Sequence, residues 1–154
     1  MPDVIREAVR IHAPTLLNHA ITVSLRLPAA LPTVAADPAA LEHVLLNLLH
    51  NAADAIRARP SPHPDEGRIT IAATTDARDI RISVEDNGCG IPASIQSRIF
   101  DPFFTTKPVG SGTGLGLSIV HSLIAQHGGR LTCESREGQG ATFLLTLPLA
   151  PGPA

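Results

Sequence analysis

Asn47 and Asn51 stand four residues apart in a Leu-rich stretch, a spacing that puts both amides on one face of a helix. Amide oxygens are neutral, hard ligands that suit Mg2+, which keeps several waters and takes its other oxygens from phosphate. Alone, the pair reads more simply as two solvated surface amides. Val84-Glu-Asp-Asn-Gly-Cys-Gly-Ile-Pro92 is a second candidate. A strand would deliver Asp86 to its end, Gly88 and Gly90 would let the backbone turn against a flat ligand, and the carboxylate could accept a hydrogen bond from an exocyclic amine such as adenine N6. Asp-Asn-Gly is also ordinary turn chemistry. The third candidate is Gly110-Ser-Gly-Thr-Gly-Leu-Gly-Leu, with glycine at every second position on the way into a helix. Exposed N–H groups and the positive end of that helix can hold phosphate. No Gly-Lys-Ser/Thr follows, so it is not a P-loop, and leucine stands where a dinucleotide fingerprint needs its third glycine. The single lysine, Lys107, directly follows a cluster holding three of the four Phe residues, Phe100, Phe103 and Phe104. A lone aromatic knot beside a lone lysine suggests a local device rather than general core.

The elements that would position these residues are legible. Val4 to Leu17 fits a helix. Ile21 to Leu27 alternates as a strand with one buried face. Asp37-Pro38 opens the clearest helix, with Asp37 as cap and Pro38 in its first turn. Leu41, Val44, Leu45, Leu48, Ala52 and Ile56 form its apolar stripe. Residues 57–67 read as an exposed loop, Ile69–Thr75 and Ile80–Glu85 as strands, and 86–113 as a long irregular stretch, which in a compact domain is usually functional. Leu115–His127 reads as a helix closed by Gly128-Gly129. Leu131–Ser135 and Thr142–Leu147 read as strands around a turn at 137–140. The expected fold is α+β, a two-layer sandwich with one mixed sheet and helices on one face. Residues 1–150 form its one domain, and 151–154 are a frayed, disordered tail.

Composition narrows the class. With 154 residues, 44% hydrophobic and 17% charged, the chain can fill a core and is not intrinsically disordered. A net charge of −2 argues against a broad nucleic-acid face. No apolar run approaches the ~18 residues of a membrane span. Two cysteines, Cys89 and Cys133, make no disulfide framework and are expected as reduced thiols in a cytoplasmic protein.

Taken in order, the candidates resemble the catalytic, ATP-binding domain of sensor histidine kinases, within the superfamily that includes gyrase, the 90-kilodalton heat-shock chaperone and mismatch-repair ATPases. Leu45-Leu-Asn-Leu-Leu-His-Asn-Ala-Ala-Asp-Ala55 resembles the N box and Asp86-Asn-Gly-Cys-Gly90 the G1 box. Ile99-Phe-Asp-Pro-Phe-Phe-Thr-Thr-Lys107 is similar to the F box and Gly112-Thr-Gly-Leu-Gly-Leu117 to the G2 box. Gly138-Gln-Gly-Ala-Thr-Phe143 and Leu147-Pro148 resemble the closing strand. Each box is weak alone; four in order across residues 4–149 are specific.

The resemblance implies residue roles. Asn51 holds Mg2+ bridging the phosphates of ATP, and Asn47 supports it one turn earlier. Asp86 binds the adenine amine with the Thr142 hydroxyl beside it, and Gly88, Gly90 and Ile91 line the base. Residues 92–113 form a lid anchored by the three Phe side chains. Thr106, Lys107 and the amides of Gly112, Thr113, Gly114, Leu115 and Gly116 face the phosphates. Asp54 stands where many members carry a basic residue near the phosphates, and Arg57 is the nearest substitute. His43 is expected to be structural. His12, His19, His50, His63, His121 and His127 are expected at the surface or in turns.

Hydrolytic relatives, and the related anti-sigma serine kinases, carry a glutamate general base four residues before the Mg2+ asparagine. Asn47 occupies that position and cannot take a proton at neutral pH. The domain is therefore expected to be a poor ATPase by itself, better suited to presenting the γ-phosphate to an incoming nucleophile. The resemblance implies that this nucleophile is a histidine on a separate dimerisation domain, for relay to a response-regulator receiver aspartate. No His is followed by Glu or Asp, so the phosphoacceptor and dimerisation domain is expected to be absent from this chain. The isolated domain is expected to be a monomer without nucleic-acid or membrane contact, any membrane anchor belonging to the parent kinase. The alternative is a non-catalytic ATP-binding module acting through partner contact. A serine kinase is disfavoured by Asn47 and the Phe-rich lid.

Overall fold

A computed structural model of the chain describes residues 1–60, 65–107 and 112–150. Its elements run α1 (Pro2–Asn18), β1 (Ile21–Arg26), α2 (Pro38–Arg57), β2 (Gly67–Thr75), β3 (Asp79–Asp86), α3 (Ala93–Gln96), α4 (Gly116–Gln126), β4 (Arg130–Ser135) and β5 (Ala141–Pro148). The strands form one sheet in the order β1-β2-β3-β5-β4. The β1–β2 pair is parallel and the other three pairs are antiparallel, so the sheet is mixed, as expected. The long helices pack on one face: α1 against β1, α2 against β2 and β3, and α4 against β4.

The core follows from side-chain period. Ile69, Ile71 and Ala73 of β2, Ile80, Ile82 and Val84 of β3, and Ala141, Phe143, Leu145 and Leu147 of β5 all point into the helix layer. Two-residue spacing in the strands meets the three-to-four-residue spacing of α2, whose whole expected stripe from Leu41 to Ile56 is buried. Helix α2 starts as read: the Asp37 carboxylate accepts a hydrogen bond from the Ala39 N–H at 3.1 Å, and Pro38 occupies the first turn. Just past its His127 cap, helix α4 is stopped by Gly128, which takes φ +70° while its N–H reaches the Ala125 carbonyl and that of Gly129 the Ile124 carbonyl.

The stretch after β3 is less irregular than expected, because it contains the one-turn helix α3. Four residues are too few to show an apolar period in sequence. The frayed tail expected at 151–154 lies outside the described residues, as do 61–64 of the loop after α2 and 108–111 within the expected lid. No helix among the described residues is long and apolar enough to cross a membrane.

Leu49 is fully buried in the middle of α2, the helix that packs on α1, α4 and the sheet. Leu49→Ala is expected to lower unfolding free energy by about 2–5 kcal/mol, read by urea denaturation. A change under ~1 kcal/mol would show that α2 is not the central core element.

Candidate functional site

A cleft of about 1060 Å3 opens between α2, the turn after β3, and the segments on either side of α3 and before α4. That is at the upper end of the ~300–1,000 Å3 typical of small-molecule sites, so it accommodates a whole nucleotide rather than a base alone. Its lining includes Asn47, Asn51, Asp86, Gly90, Ile91, Thr106, Lys107, Gly112, Thr113, Gly114 and Gly116, all anticipated from sequence and drawn here from four separate segments.

One end of the cleft is built around Asp86. The last residue of β3 pairs with Ala141 at the start of β5, and its carboxylate points into the buried layer, with only 5% of the residue exposed. It accepts a hydrogen bond from the Gly88 N–H at 2.8 Å and another from the Ala141 N–H. Burial dominates nonetheless and pushes the carboxyl up from 3.8 to about 6, against the pull of the two N–H groups and with a small push from Glu85. The surrounding turn is tied down on all sides. The Cys89 N–H donates to the Ala55 carbonyl of α2 at 2.9 Å. The Asn87 amide donates to the Glu66 carbonyl, and its oxygen accepts from the Arg68 N–H. Gly90 takes φ +70° with the Arg136 carbonyl where a side chain would begin, so only glycine fits there.

Two residues that sequence reading missed complete this end. The Ser135 hydroxyl accepts from the Ile91 N–H at 2.9 Å and donates to the Gly140 carbonyl at 2.7 Å. The Gln96 amide, on α3, donates to the carbonyls of Ile91 and Ser135 at 2.8 and 2.9 Å. No local signal marks either: the bonds that join Ser135 to Ile91 and Gln96 link residues 44 and 39 apart, and α3 is below the length that periodicity detects.

Asn47 and Asn51 occupy the other end. Asn47 donates from its amide to the His43 carbonyl at 2.9 Å, which turns its oxygen toward α4. Gly116 at the first turn of α4 comes so close that a Cβ there would lie 3.1 Å from that oxygen. The α4 N-terminus has no side-chain cap, which leaves the first-turn amides to a ligand. Lys107 reaches across to α2, where its ammonium binds the Asp54 carboxylate at 2.5 Å. Arg57 contacts the other Asp54 oxygen at 3.2 Å, and His50 Nε2 lies 3.3 Å from the first. Burial pushes the Asp54 carboxyl up, but the hydrogen bond and charge of Lys107, with His50 and Arg57, outweigh it and hold the group below its ordinary range.

Several expected contacts are not made. Thr142 does not stand beside Asp86. Because Asp86 pairs with Ala141 and side chains alternate, the Thr142 side chain falls on the opposite face, with cross-strand neighbours Glu85 and Glu134. Gly88 does not line the cleft; a Cβ there would strike Ala55 at 2.6 Å, so the glycine lets the turn lie against α2. Leu115 is the N-cap residue of α4 and is outside the lining. Phe103 does not anchor the lid through its ring, which is 76% exposed. Its backbone does so instead, at φ +66°, with its N–H bonded to the Gly114 carbonyl at 2.8 Å. Phe100 stacks on His121 and Phe104 lies under the Arg98 guanidinium, so those two rings are held. His12 is only partly exposed: its Nε2 is buried without a hydrogen-bond partner, and its ring meets His50 edge-on.

A buried acceptor at one end and paired amides, a lysine and an open helix terminus at the other make a site for a flat base joined to phosphates. Residues 36–151 match the family model described as histidine kinase-, DNA gyrase B-, and HSP90-like ATPase. The chain belongs to that family. Among sensor kinases it is 42% identical to the sensor histidine kinase ZraS of Escherichia coli strain K12 over 147 residues, which is 88% of this chain and 30% of that protein. It is 48% identical to the signal transduction histidine-protein kinase AtoS of the same strain, over 79% of this chain and 19% of that one. The catalytic domain of histidine kinase ThkA superposes with a TM-score of 0.81 at 32% identity, covering 97% of this chain and 95% of that one. Full-length ShkA in complex with AMPPNP gives 0.82 at 31% identity, over 99% of this chain and 30% of that one. The chain thus corresponds to the ATPase catalytic domain of sensor histidine kinases, and spans 30% or less of the curated relatives' length.

For a member of this ATPase family, the raised Asp86 pKa is a stability statement. A carboxyl that titrates at 3.8 unfolded and about 6 folded holds its proton more tightly in the native state, so stability is lost as pH rises between those values, by ~3 kcal/mol in all. Asp86→Asn is therefore expected to stabilise the fold at neutral pH by ~1–3 kcal/mol. In urea denaturation, the wild type should lose stability relative to the variant from about pH 4 to about pH 6 and run level above. A wild type that keeps level with the variant, or gains on it, over that window refutes burial as the dominant cause.

Proposed function

We propose that this domain binds Mg-ATP in the cleft and donates its γ-phosphate to a histidine on a separate dimerisation domain, for relay to an aspartate of a response-regulator receiver domain. The observation that carries the reading is the two-ended cleft, with Asp86 buried at one end and Asn47, Asn51 and Lys107 gathered at the other. Ionised Asp86 would accept the adenine amine, with Gly90 and Ile91 against the base. Asn51 offers one hard amide oxygen to Mg2+, whose other ligands would be phosphate oxygens and water. Asn47, held through its amide by His43, supports that position from one turn away. Lys107, Thr106 and the amides entering α4 would neutralise and orient the phosphates.

Positioning and charge neutralisation supply most of the catalysis in phosphoryl transfer, and these residues do both. Asn47 can orient but cannot remove a proton, so water is not activated at that position, whereas an incoming imidazole brings its own nucleophilic nitrogen. This supports transfer over hydrolysis. The kinase similarity of the relatives and the match of this chain to their catalytic part support a histidine-bearing partner domain, in the same parent protein or in trans.

Calorimetric titration with a non-hydrolysable ATP analogue and Mg2+ tests the binding step. The wild type should bind and Asp86→Asn should lose at least ~100-fold in affinity, because a hydrogen-bonding site that loses its charged acceptor discriminates strongly. Incubation with ATP and a histidine-kinase dimerisation domain should then label that domain with phosphate that is lost in acid. Acid-stable label would point to a serine acceptor, and tight binding without any transfer would leave a regulatory ATP-binding module.

A further inference from the structure

Asp54 lies one turn beyond Asn51 on α2, and its carboxylate is about four-fifths buried in the wall of the cleft. It is the hub of three contacts: Lys107 and His50 on one oxygen and Arg57 on the other. Lys107 comes from a segment 53 residues away, and the pair bridges the cleft between α2 and the chain leading into the lid. The lysine stem is itself enclosed. A Cβ at Gly112 would lie 2.9 Å from Lys107 Cδ and the same distance from the Thr105 hydroxyl, so the approach to α4 is laid directly against it.

Resting on the reading that the cleft takes Mg-ATP, we propose that Asp54 is a specificity-determining positioning residue that makes the site count phosphates. Asp54 keeps the Lys107 ammonium on α2 until a group of higher negative charge comes within reach. A γ-phosphate carries more charge than a carboxylate and can take the ammonium; a diphosphate ends short of it and leaves the pair intact. The exchange is affordable for the carboxylate because it is never stranded: Arg57 stays on one oxygen and His50 beside the other after Lys107 leaves. A partly buried carboxylate with Lys107 as its only partner would resist the exchange far more strongly. Asp54 touches no reacting atom in this scheme and acts through Lys107.

The test is calorimetric titration of Mg2+ with the β,γ-imido analogue of ATP, and separately of Mg2+ with ADP, into five forms of the protein: wild type, Asp54→Asn, Asp54→Glu, Lys107→Gln, and Asp54→Asn with Lys107→Gln. Freeing the lysine in Asp54→Asn should tighten the triphosphate by about tenfold and the diphosphate by less than about twofold, the size expected for one charge-assisted contact. Asp54→Glu should restore the wild-type ratio of the two affinities. Lys107→Gln should lose the preference for the triphosphate, and adding Asp54→Asn to it should change nothing further. Equal tightening of both nucleotides, or an effect of Asp54→Asn that persists without Lys107, overturns the proposal, since Asp54 would then act as a general negative charge. Failure of the wild type to bind either nucleotide overturns the Mg-ATP reading itself, a result distinct from binding without the expected ratios.

Discussion

A carboxylate buried at the end of a central strand is the constraint around which this domain is arranged. Asp86 belongs to a sheet whose other inward residues at that depth are aliphatic or aromatic, and an ionised group there is unfavourable unless donors meet it. The Gly88 and Ala141 N–H groups answer part of that demand. They can do so only because β3 pairs with β5 in one register and because the turn after β3 is pressed onto α2. Much of the local architecture serves this end: Gly90 against Arg136, Cys89 bonded to Ala55, Asn87 bonded to both sides of the β2 entry. On the proposed reading, the exocyclic amine of the ligand would add a further donor to the carboxylate.

The opposite end is organised by ion pairing at the wall of the cleft. Asn47 and Asn51 ride on α2, whose inner stripe is locked into the core, so their positions are as fixed as the helix itself. Lys107 is placed by an ion pair and by the glycine that runs beside its stem. An ion pair at a cleft wall is strong enough to choose one arrangement and weak enough to be traded for another, which a packed leucine is not.

How far the sequence carried depends on the range of the interaction concerned. The Asp37 cap, the Pro38 first turn, the stripe from Leu41 to Ile56 and the Gly128 stop are local, and each was legible from neighbours within a few residues. The alternation of β5 was legible too, but not its parity against β3. That register is fixed by the turn before β5, where Gly140 at φ +85° lies against the Asp86 backbone, and one residue of slip exchanges Ala141 for Thr142 beside the carboxylate. Phe103 reads as a ring that anchors the lid, yet its backbone is left-handed and the side chain is exposed. The ties from Ile91 to Ser135, from Gln96 to Ser135 and from Lys107 to Asp54 span tens of residues and have no periodic signature.

The contrast between the two ends separates the kinetics of arrival from those of departure. Around Ile91 the cross-ties of Gln96 and Ser135 leave little to rearrange, so on the proposed reading a base would meet a finished surface and its capture would be governed by access. On the same reading, the Lys107–Asp54 bond at the other end is exchanged before a phosphate chain is fully held. Residence time would then grow with the length of that chain while the rate of capture stays nearly constant. A domain that works this way would take up nucleotides at one rate and sort them by how long each molecule stays.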